Sequence, residues 1–506
     1  MSLLKLISVD IFLRALCILT LLGIIFTIFL AIYIYRKRSL YKHIPGPKID
    51  SFFTGNLPSI NKQIYVHKRA LSELWYDWHM EFGPVFVIWA FFTPIVTVLD
   101  PEDIKKLLIT LNLPKSARTY NKLAYPYGHR FTGNGILTEL NHGIWKKKRS
   151  RLDKAFHRSY LINLMASFNG ICNVFLDKIG KLADGKTEVE MSEEFGRVTL
   201  DVIGKVGFGI DINAVENASS PFPIAVSKTL EGVQTFFRNP LSFIQVWNWP
   251  YQNDVIRKIQ YLRQFAQDVI EKRIINGSNG HKDILTHLVS LKESNENDDY
   301  NMESMVDDFV TFFVAGQETT SNQLAFTLFE ILDHPDINNK VIEEVEHILG
   351  DRKFVAYEDI GKLEYLGMTL KESLRMHPPI GGTQRMLTKQ ETIGGYVIPE
   401  NTPIYVSFYL THNSPLNWKE PEVFEPRRFE LKNKTGRSST VYTPFSTGPR
   451  SCIGKTLAEF EARVIMARLF QEFELELVPG QKLEKVEQIT IRPKGGVKCL
   501  IKRRKK

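Results

Sequence analysis

The chain reads as mainly α-helical with small β-sheets (α+β), led by a single membrane-spanning helix. Three observations predict this class. Helical periodicity dominates from about residue 140 to 380. Strand signals rich in β-branched and aromatic residues gather near both ends of the body. An uncharged apolar run, ALCILTLLGIIFTIFLAIYIY (15–35), precedes everything else.

That run is 21 residues long, and a helix needs about 20 to cross a bilayer core. A cleaved signal peptide would have a shorter apolar stretch and small residues at the cut; here RKR follows. Arg36, Lys37, Arg38 and Lys42 crowd the carboxyl side, which by the positive-inside rule places the body in the cytosol. Lys5 and Arg14 oppose this weakly. Residues 1–43 are therefore expected to be a membrane anchor. Residues 44–506 are expected to be one domain, because no Gly/Ser linker, repeat or low-complexity tract divides them. HIPGPK (43–48) is a stiff, extended hinge. GPVFVIWA (83–90) and TPIVTVLD (93–100) read as strands, and Pro101 opens a helix at its first turn. Strands return at 393–399, 402–408 and 473–478, and the polar stretch 293–301 reads as a loop.

The net charge is +9. Five positive charges sit in the tail KRRKK (502–506) and four at Arg36, Lys37, Arg38 and Lys42, so the remainder is close to neutral. The basic balance therefore gives no argument for a nucleic-acid partner. The four cysteines, Cys17, Cys172, Cys452 and Cys499, form no C-x-x-C and no disulfide framework. That fits a reducing compartment.

One helix should cross the core. Ser304 and Asp307 offer a capping box, and the apolar pattern then runs unbroken to Pro335. Its middle nevertheless holds Gly316, Glu318, Thr319 and Thr320. A mid-helix glycine costs about 1 kcal/mol, and a buried carboxylate needs a partner. Stability alone does not favour either. In the next helix, Glu372 and Arg375 share a face, and FEPRRF (424–429) supplies Arg428. Finally, FSTGPRSCIG (445–454) presents Cys452 among Gly448, Pro449, Arg450 and Gly454, a loop that displays a sulfur rather than hiding it.

These segments together resemble the cytochrome P-450 haem-thiolate monooxygenases. FSTGPRSCIG matches the family's cysteine loop, AGQETT (315–320) its oxygen-activation segment and ESLR (372–375) its E-x-x-R. FEPRRF and WKKKR (145–149) match its Pro/Arg/Phe and W-x-x-x-R segments. The resemblance implies the cytochrome P-450 fold, with the long central helix over a heme b (iron protoporphyrin IX) whose axial ligand is Cys452. A metal-bound thiol is deprotonated, and thiolate ligation favours O–O cleavage. Gly448 and Gly454 are expected to let the backbone approach the sulfur. By the same resemblance Trp145, Arg149, Arg385 and Arg450 grip the haem propionates. Lys146, Lys147 and Lys148 lean towards solvent, where an acidic flavoprotein reductase can dock. Glu372, Arg375 and Arg428 form a structural ion triad. Glu318 and Thr319 act as an acid–alcohol proton relay, with Thr319 bonding back to Ala315 and Gly316 leaving room for dioxygen.

No G-x-G-x-x-G after a strand, P-loop or H-E-x-x-H occurs, so electrons should come from an NADPH-dependent reductase of the endoplasmic reticulum membrane. The implied reaction places one atom of O₂ into a C–H bond of a lipophilic substrate. Within the family, 228–241, 309–330, 370–387 and 477–483 are most similar to the cholesterol 24-hydroxylase branch, departing at Gln317 and Gly382. A sterol side chain is the favoured substrate, with a fatty acid or xenobiotic as the alternative. A membrane haem sensor or carrier, or an O₂-independent isomerase, is the further alternative. Members of that last kind tend to lose the acid–alcohol pair, which this chain keeps.

Overall fold

The computed structural model describes residues 3–217, 220–239, 242–277, 283–293, 300–433 and 436–504. The loop expected at 293–301 lies mostly outside the described residues, as do the last two lysines of the tail.

The first helix runs Leu3–Ser39. Phe12–Ser39 has a mean hydropathy of 2.9 over its most apolar window, and that window is wholly exposed. The chain then enters the body, where Tyr41 and Ile44 are buried against Val85, Val87 and Trp89. HIPGPK is no free hinge. Val87 N donates to Pro45 O at 2.8 Å, and a Cβ on Gly46 would lie 2.1 Å from the Val87 carbonyl oxygen.

Strands Val85–Ala90 and Thr93–Val98 form the expected antiparallel pair. They are joined by Pro403–Ser407 in parallel, and that strand pairs with Gly382–Met386 in antiparallel fashion. The amino-terminal sheet is thus completed by chain from beyond residue 380. A second sheet of three antiparallel strands is formed by Asp184–Glu190, Lys498–Arg503 and Phe473–Leu477. Asp100 caps the helix at Pro101, accepting from the backbone N–H of Glu102 and Asp103.

The central helix spans Met302–Asp333, 32 residues. It packs against helices Met191–Val202, Trp249–Asn276, Glu364–Met376 and Lys455–Glu472 and against strand Thr490–Pro493. The expected Ser304/Asp307 capping box is not what starts it. Asn301 is the cap, accepting from Ser304 N at 3.0 Å. Asp307 is instead fully buried and paired with Arg130 at 2.6 Å and Arg263 at 2.8 Å. Two guanidiniums compete better for a carboxylate than one helix-terminal N–H does.

Candidate active site

Along the central helix, residues from Met305 to Val314 and from Thr320 to Ile331 are buried. Between them only Gln317 is buried, while Ala315, Gly316, Glu318 and Thr319 keep accessible surface. The polar interruption in the sequence is therefore an open face in an otherwise enclosed helix. Thr319 Oγ1 donates to Ala315 O at 2.7 Å, a back-bond that competes with the helical ladder. Glu318 Oε1 accepts from Thr490 Oγ1 at 3.0 Å and lies 3.5 Å from Asn322 Nδ2. Gln317 faces the other way, with Nε2 3.4 Å from Gly196 O and its own carbonyl accepting from Thr199 Oγ1. Gly316 also meets a close neighbour: a Cβ there would lie 3.1 Å from the Ile203 side chain, so the glycine admits a packed segment.

In the loop before helix Lys455–Glu472, Cys452 N donates to Phe445 O at 2.8 Å and Ser451 N to Gly448 O at 3.0 Å. Cys452 retains accessible surface, yet burial pushes its thiol pKa up. Both hold for a group lining an internal recess. The backbone N–H of Gly454 and the charges of Arg149 and Lys455 pull the other way. Of the two glycines, Gly448 is the constrained one. Its φ is +73°, and a Cβ would lie 2.3 Å from Leu108 O. At Gly454 the nearest atom to a Cβ would be Cys452 Sγ at 3.9 Å, an ordinary contact. Gly448 therefore serves packing against Leu108 rather than approach to the sulfur.

The arginines converge on this loop. Helix His142–Leu152 carries Trp145 and Arg149. Arg149 Nη1 donates to Ser451 O at 2.6 Å, and its Nε pairs with Asp153 at 2.7 Å. Arg450 lies over the buried Trp145 ring at 3.9 Å and donates to Glu139 O at 3.0 Å. Arg385 is 2% exposed, donates to Thr383 Oγ1 at 2.6 Å, and has its pKa lowered by burial. One member was not anticipated. Lys115 is buried, bonded to Leu137 O, and 4.4 Å from the Tyr120 ring centroid. Its pKa is driven well below the usual lysine value by burial, then by the charges of Arg385 and Arg450. No pattern marks Lys115 in the sequence; the bridge between residues 115 and 385 brings it in. Lys148 corrects another expectation. Three residues after Trp145, it shares the buried face, and its Nζ bonds Asn134 O at 2.7 Å and lies 3.4 Å from Asp308. Lys146 and Lys147 are exposed.

Elsewhere, Arg375 Nε and Nη2 meet Glu372 at 2.8 and 2.9 Å, and Arg428 Nε meets it at 3.1 Å. Arg375 also donates to the carbonyls of His412 and Pro421.

Residues 45–500 match the family model described as "Cytochrome P450". This chain belongs to the cytochrome P450 family. It is 27% identical to "Cytochrome P450 3A11" of Mus musculus, covering 87% of each chain. It is 27% identical to "Probable cytochrome P450 4aa1" of Drosophila melanogaster, covering 84% of this chain and 83% of that protein. The solved "Crystal structure of cytochrome P450DA heme domain" overlays with a TM-score of 0.81 at 22% identity, over 91% of this chain and 98% of that one. The fold of this P450 is thus the P450 fold, mainly helical with small sheets.

The site suits the haem of a P450 monooxygenase in its donor set. An accessible thiol sits beside two buried and two half-buried cations, Arg385, Lys115, Arg450 and Arg149. Among the described residues, Arg385, Lys115 and Arg450 donate to a hydroxyl and to backbone carbonyls rather than to a carboxylate. Buried cations require anionic partners, and haem brings two carboxylates.

Proposed function

We propose that the Cys452 thiolate would hold the iron of heme b, and that Arg149, Arg385, Arg450 and Lys115, with Trp145 alongside, would receive its propionates. The carrying observation is the accessible Cys452 thiol joined through Arg149 and Arg450 to a set of buried cations without hydrogen-bonded carboxylates. When bound, the haem supplies dioxygen activation. The chain's own groups do the rest. The Gly454 N–H stabilises negative charge on the sulfur. Thr319 and Glu318, on the open face of the central helix, would hold and move protons. Buried neighbours, including Phe312, Phe313 and Val314, limit water. Glu372, Arg375 and Arg428 fix the segments around Cys452 and take no part in chemistry. Residues 44–506 form this catalytic domain. Residues 1–43 anchor it to the endoplasmic reticulum membrane, facing the cytosol, where an NADPH-dependent flavoprotein reductase supplies electrons.

The substrate is a lipophilic molecule, with the cholesterol side chain the favoured target. Support comes from the segment-level resemblance; a pocket of about 420 Å³ near the anchor, lined by none of Cys452, Glu318 and Thr319, offers an entrance rather than the reaction site. It is lined by Leu57, Tyr65, Phe91, Arg238 and Asn239 among others. Its apolar wall suits a ring system, and Arg238 and Asn239 can orient one polar end such as a 3-hydroxyl. The departure at Gly382 lies in the sheet, where a Cβ would be 2.5 Å from Val406 O. A second reading is a fatty acid, favoured by the same Arg238 as a cation for its carboxylate. Two measurements test these readings. Cys452→Ala protein, reduced under CO, should lack the red-shifted Soret band; an unchanged band removes the ligand assignment. Protein reconstituted with reductase and NADPH should turn over cholesterol. Turnover of a fatty acid alone would sink the sterol reading and leave the monooxygenase intact.

A further inference from the structure

Glu318 does not point its bonding atoms at Thr319, the residue beside it in sequence. Its carboxylate is held by a residue 172 positions later, Thr490. Thr490 Oγ1 donates to Glu318 Oε1 at 3.0 Å. Asn322 Nδ2, one turn along the central helix, lies 3.5 Å from the same Oε1 and 3.4 Å from Thr490 Oγ1. Thr490 is buried. Among the described residues, these two side chains fix the direction of the carboxylate.

The element carrying Thr490 is built to keep it still. Strands Lys485–Gln488 and Thr490–Pro493 pair so that Thr490 faces Gln488, which leaves Ile489 alone at the tip. Ile489 has φ +67°, a left-handed conformation that a β-branched residue adopts only when its surroundings enforce it. The surroundings are identifiable. On one strand, Glu487 O accepts from the Gln234 side-chain amide and from Arg238 Nη2 at 3.2 Å. The Glu487 carboxylate accepts from Ser72 N at 2.9 Å. On the other strand, Ile491 N donates to Pro379 O at 2.8 Å. The turn is therefore pinned on both sides of Thr490, and its hydroxyl is a fixed donor to a carboxylate on a helix.

We propose that Thr490 is a positioning residue for proton delivery: its hydroxyl parks the Glu318 carboxylate, and the pinned hairpin sets where that carboxylate rests before it passes a proton towards Thr319. This rests on the reading of Glu318 as the proton-carrying acid. Two of the pins on Glu487, Gln234 and Arg238, come from helix Pro221–Arg238, and Arg238 also lines the pocket near the anchor. The wall of that pocket and the acid are thus joined through three residues of strand and turn. No covalent step is added; only the direction of one carboxylate is assigned.

The test uses the haem-loaded, full-length protein with reductase, and the variants Thr490→Val, Thr490→Ser, Glu318→Gln and Thr490→Val/Glu318→Gln. Thr490→Val should keep the CO-difference band and the KM for substrate. Product per NADPH should fall about fivefold, the factor one ordinary hydrogen bond is worth, with the balance appearing as peroxide. Thr490→Ser, which restores the hydroxyl, should recover it. In the Glu318→Gln background Thr490→Val should cost nothing further in coupling. The two single substitutions should also be non-additive in melting temperature, as contacting residues are. Additive losses in both measures would overturn the proposal, because they would show Thr490 acting independently of Glu318. So would full coupling in Thr490→Val. If Glu318→Gln alone leaves coupling intact, the relay reading itself fails; non-additive melting would then still show the contact, so the two failures are told apart.

Discussion

Lys115 shows how one side chain can report on a partner of the site. A lysine at 8% exposure, hydrogen-bonded to a carbonyl and facing two arginines, is unfavourable for the protein alone. It becomes favourable if a carboxylate enters its recess, as a haem propionate would. Lys115→Met keeps the apolar stem and removes the charge. A charge-assisted hydrogen bond contributes about 1.5–3 kcal/mol. The variant should therefore lose haem to an excess of a haem-scavenging apoprotein about tenfold to a hundredfold faster. An unaltered rate would remove Lys115 from the haem-holding set and leave Arg385 and Arg450 in it. Cys452 and Thr319 were identifiable from the sequence because their motifs are contiguous. Lys115 was not, because only strand pairing sets it beside Arg385.

At the scale of elements, helix Phe408–Asn413 ties the ion triad to the segment that leads into the cysteine loop. His412 O accepts from Arg375, and His412 Nε2 accepts from Thr443 N at 2.8 Å. The ring must be unprotonated at Nε2 to accept. Burial, then the Arg375 charge, lowers its pKa to about 3. In the unfolded chain a histidine takes its proton near pH 6.5. Below that pH the unfolded state binds a proton that the folded state refuses. Stability is therefore complete above about pH 6.5 and falls as pH drops towards 3, by about 1.4 kcal/mol per unit for this group. His377, lowered to about 4 mainly by burial, acts in the same direction. Urea unfolding at pH 7 and pH 5 should show the loss, and His412→Gln should reduce its steepness. An equal steepness in the variant would mean that His412 is not held neutral. The Ser304 capping expectation failed at this same scale. A local pattern offered Asp307 to a helix end, and two distant arginines took it.

Across the whole molecule, one helix stands apart from everything else. Phe12–Ser39 exposes its apolar surface along its most apolar window, while the chain just beyond it is locked into the first sheet at Pro45 and Gly46. The body is therefore attached to this apolar helix without a slack tether. Placing that body in the cytosol puts all three N-x-S/T sequons, at Asn217, Asn276 and Asn433, beyond reach of the glycosylation machinery. Membrane-expressed protein should show no mobility change on endoglycosidase treatment. A shift to faster migration would reverse the orientation.

What the sequence determined alone is whatever is local. The long, exposed apolar helix at the amino terminus follows from an uninterrupted apolar run. The cysteine loop and the helix–motif pairings follow from residue types at fixed short spacings, and the strands at 83–100 from their β-branched content. The polar break at Ala315 to Thr319 was visible as a cost without a local return. What only the tertiary structure decided is every relation between segments far apart in the chain. Strands Gly382–Met386 and Lys498–Arg503 are short and carry charged residues, so their patterns are weak until a partner strand lies beside them. Lys148 looked solvated in a run of lysines and became buried because helix rotation put it on the face of Trp145. Gly316 and Gly448 were glycines for reasons lying in Ile203 and Leu108, over a hundred residues away in the first case and over three hundred in the second. The direction of the Glu318 carboxylate was decided by Thr490, 172 residues away, because a hydrogen bond depends on where two atoms end up and not on how much chain lies between them.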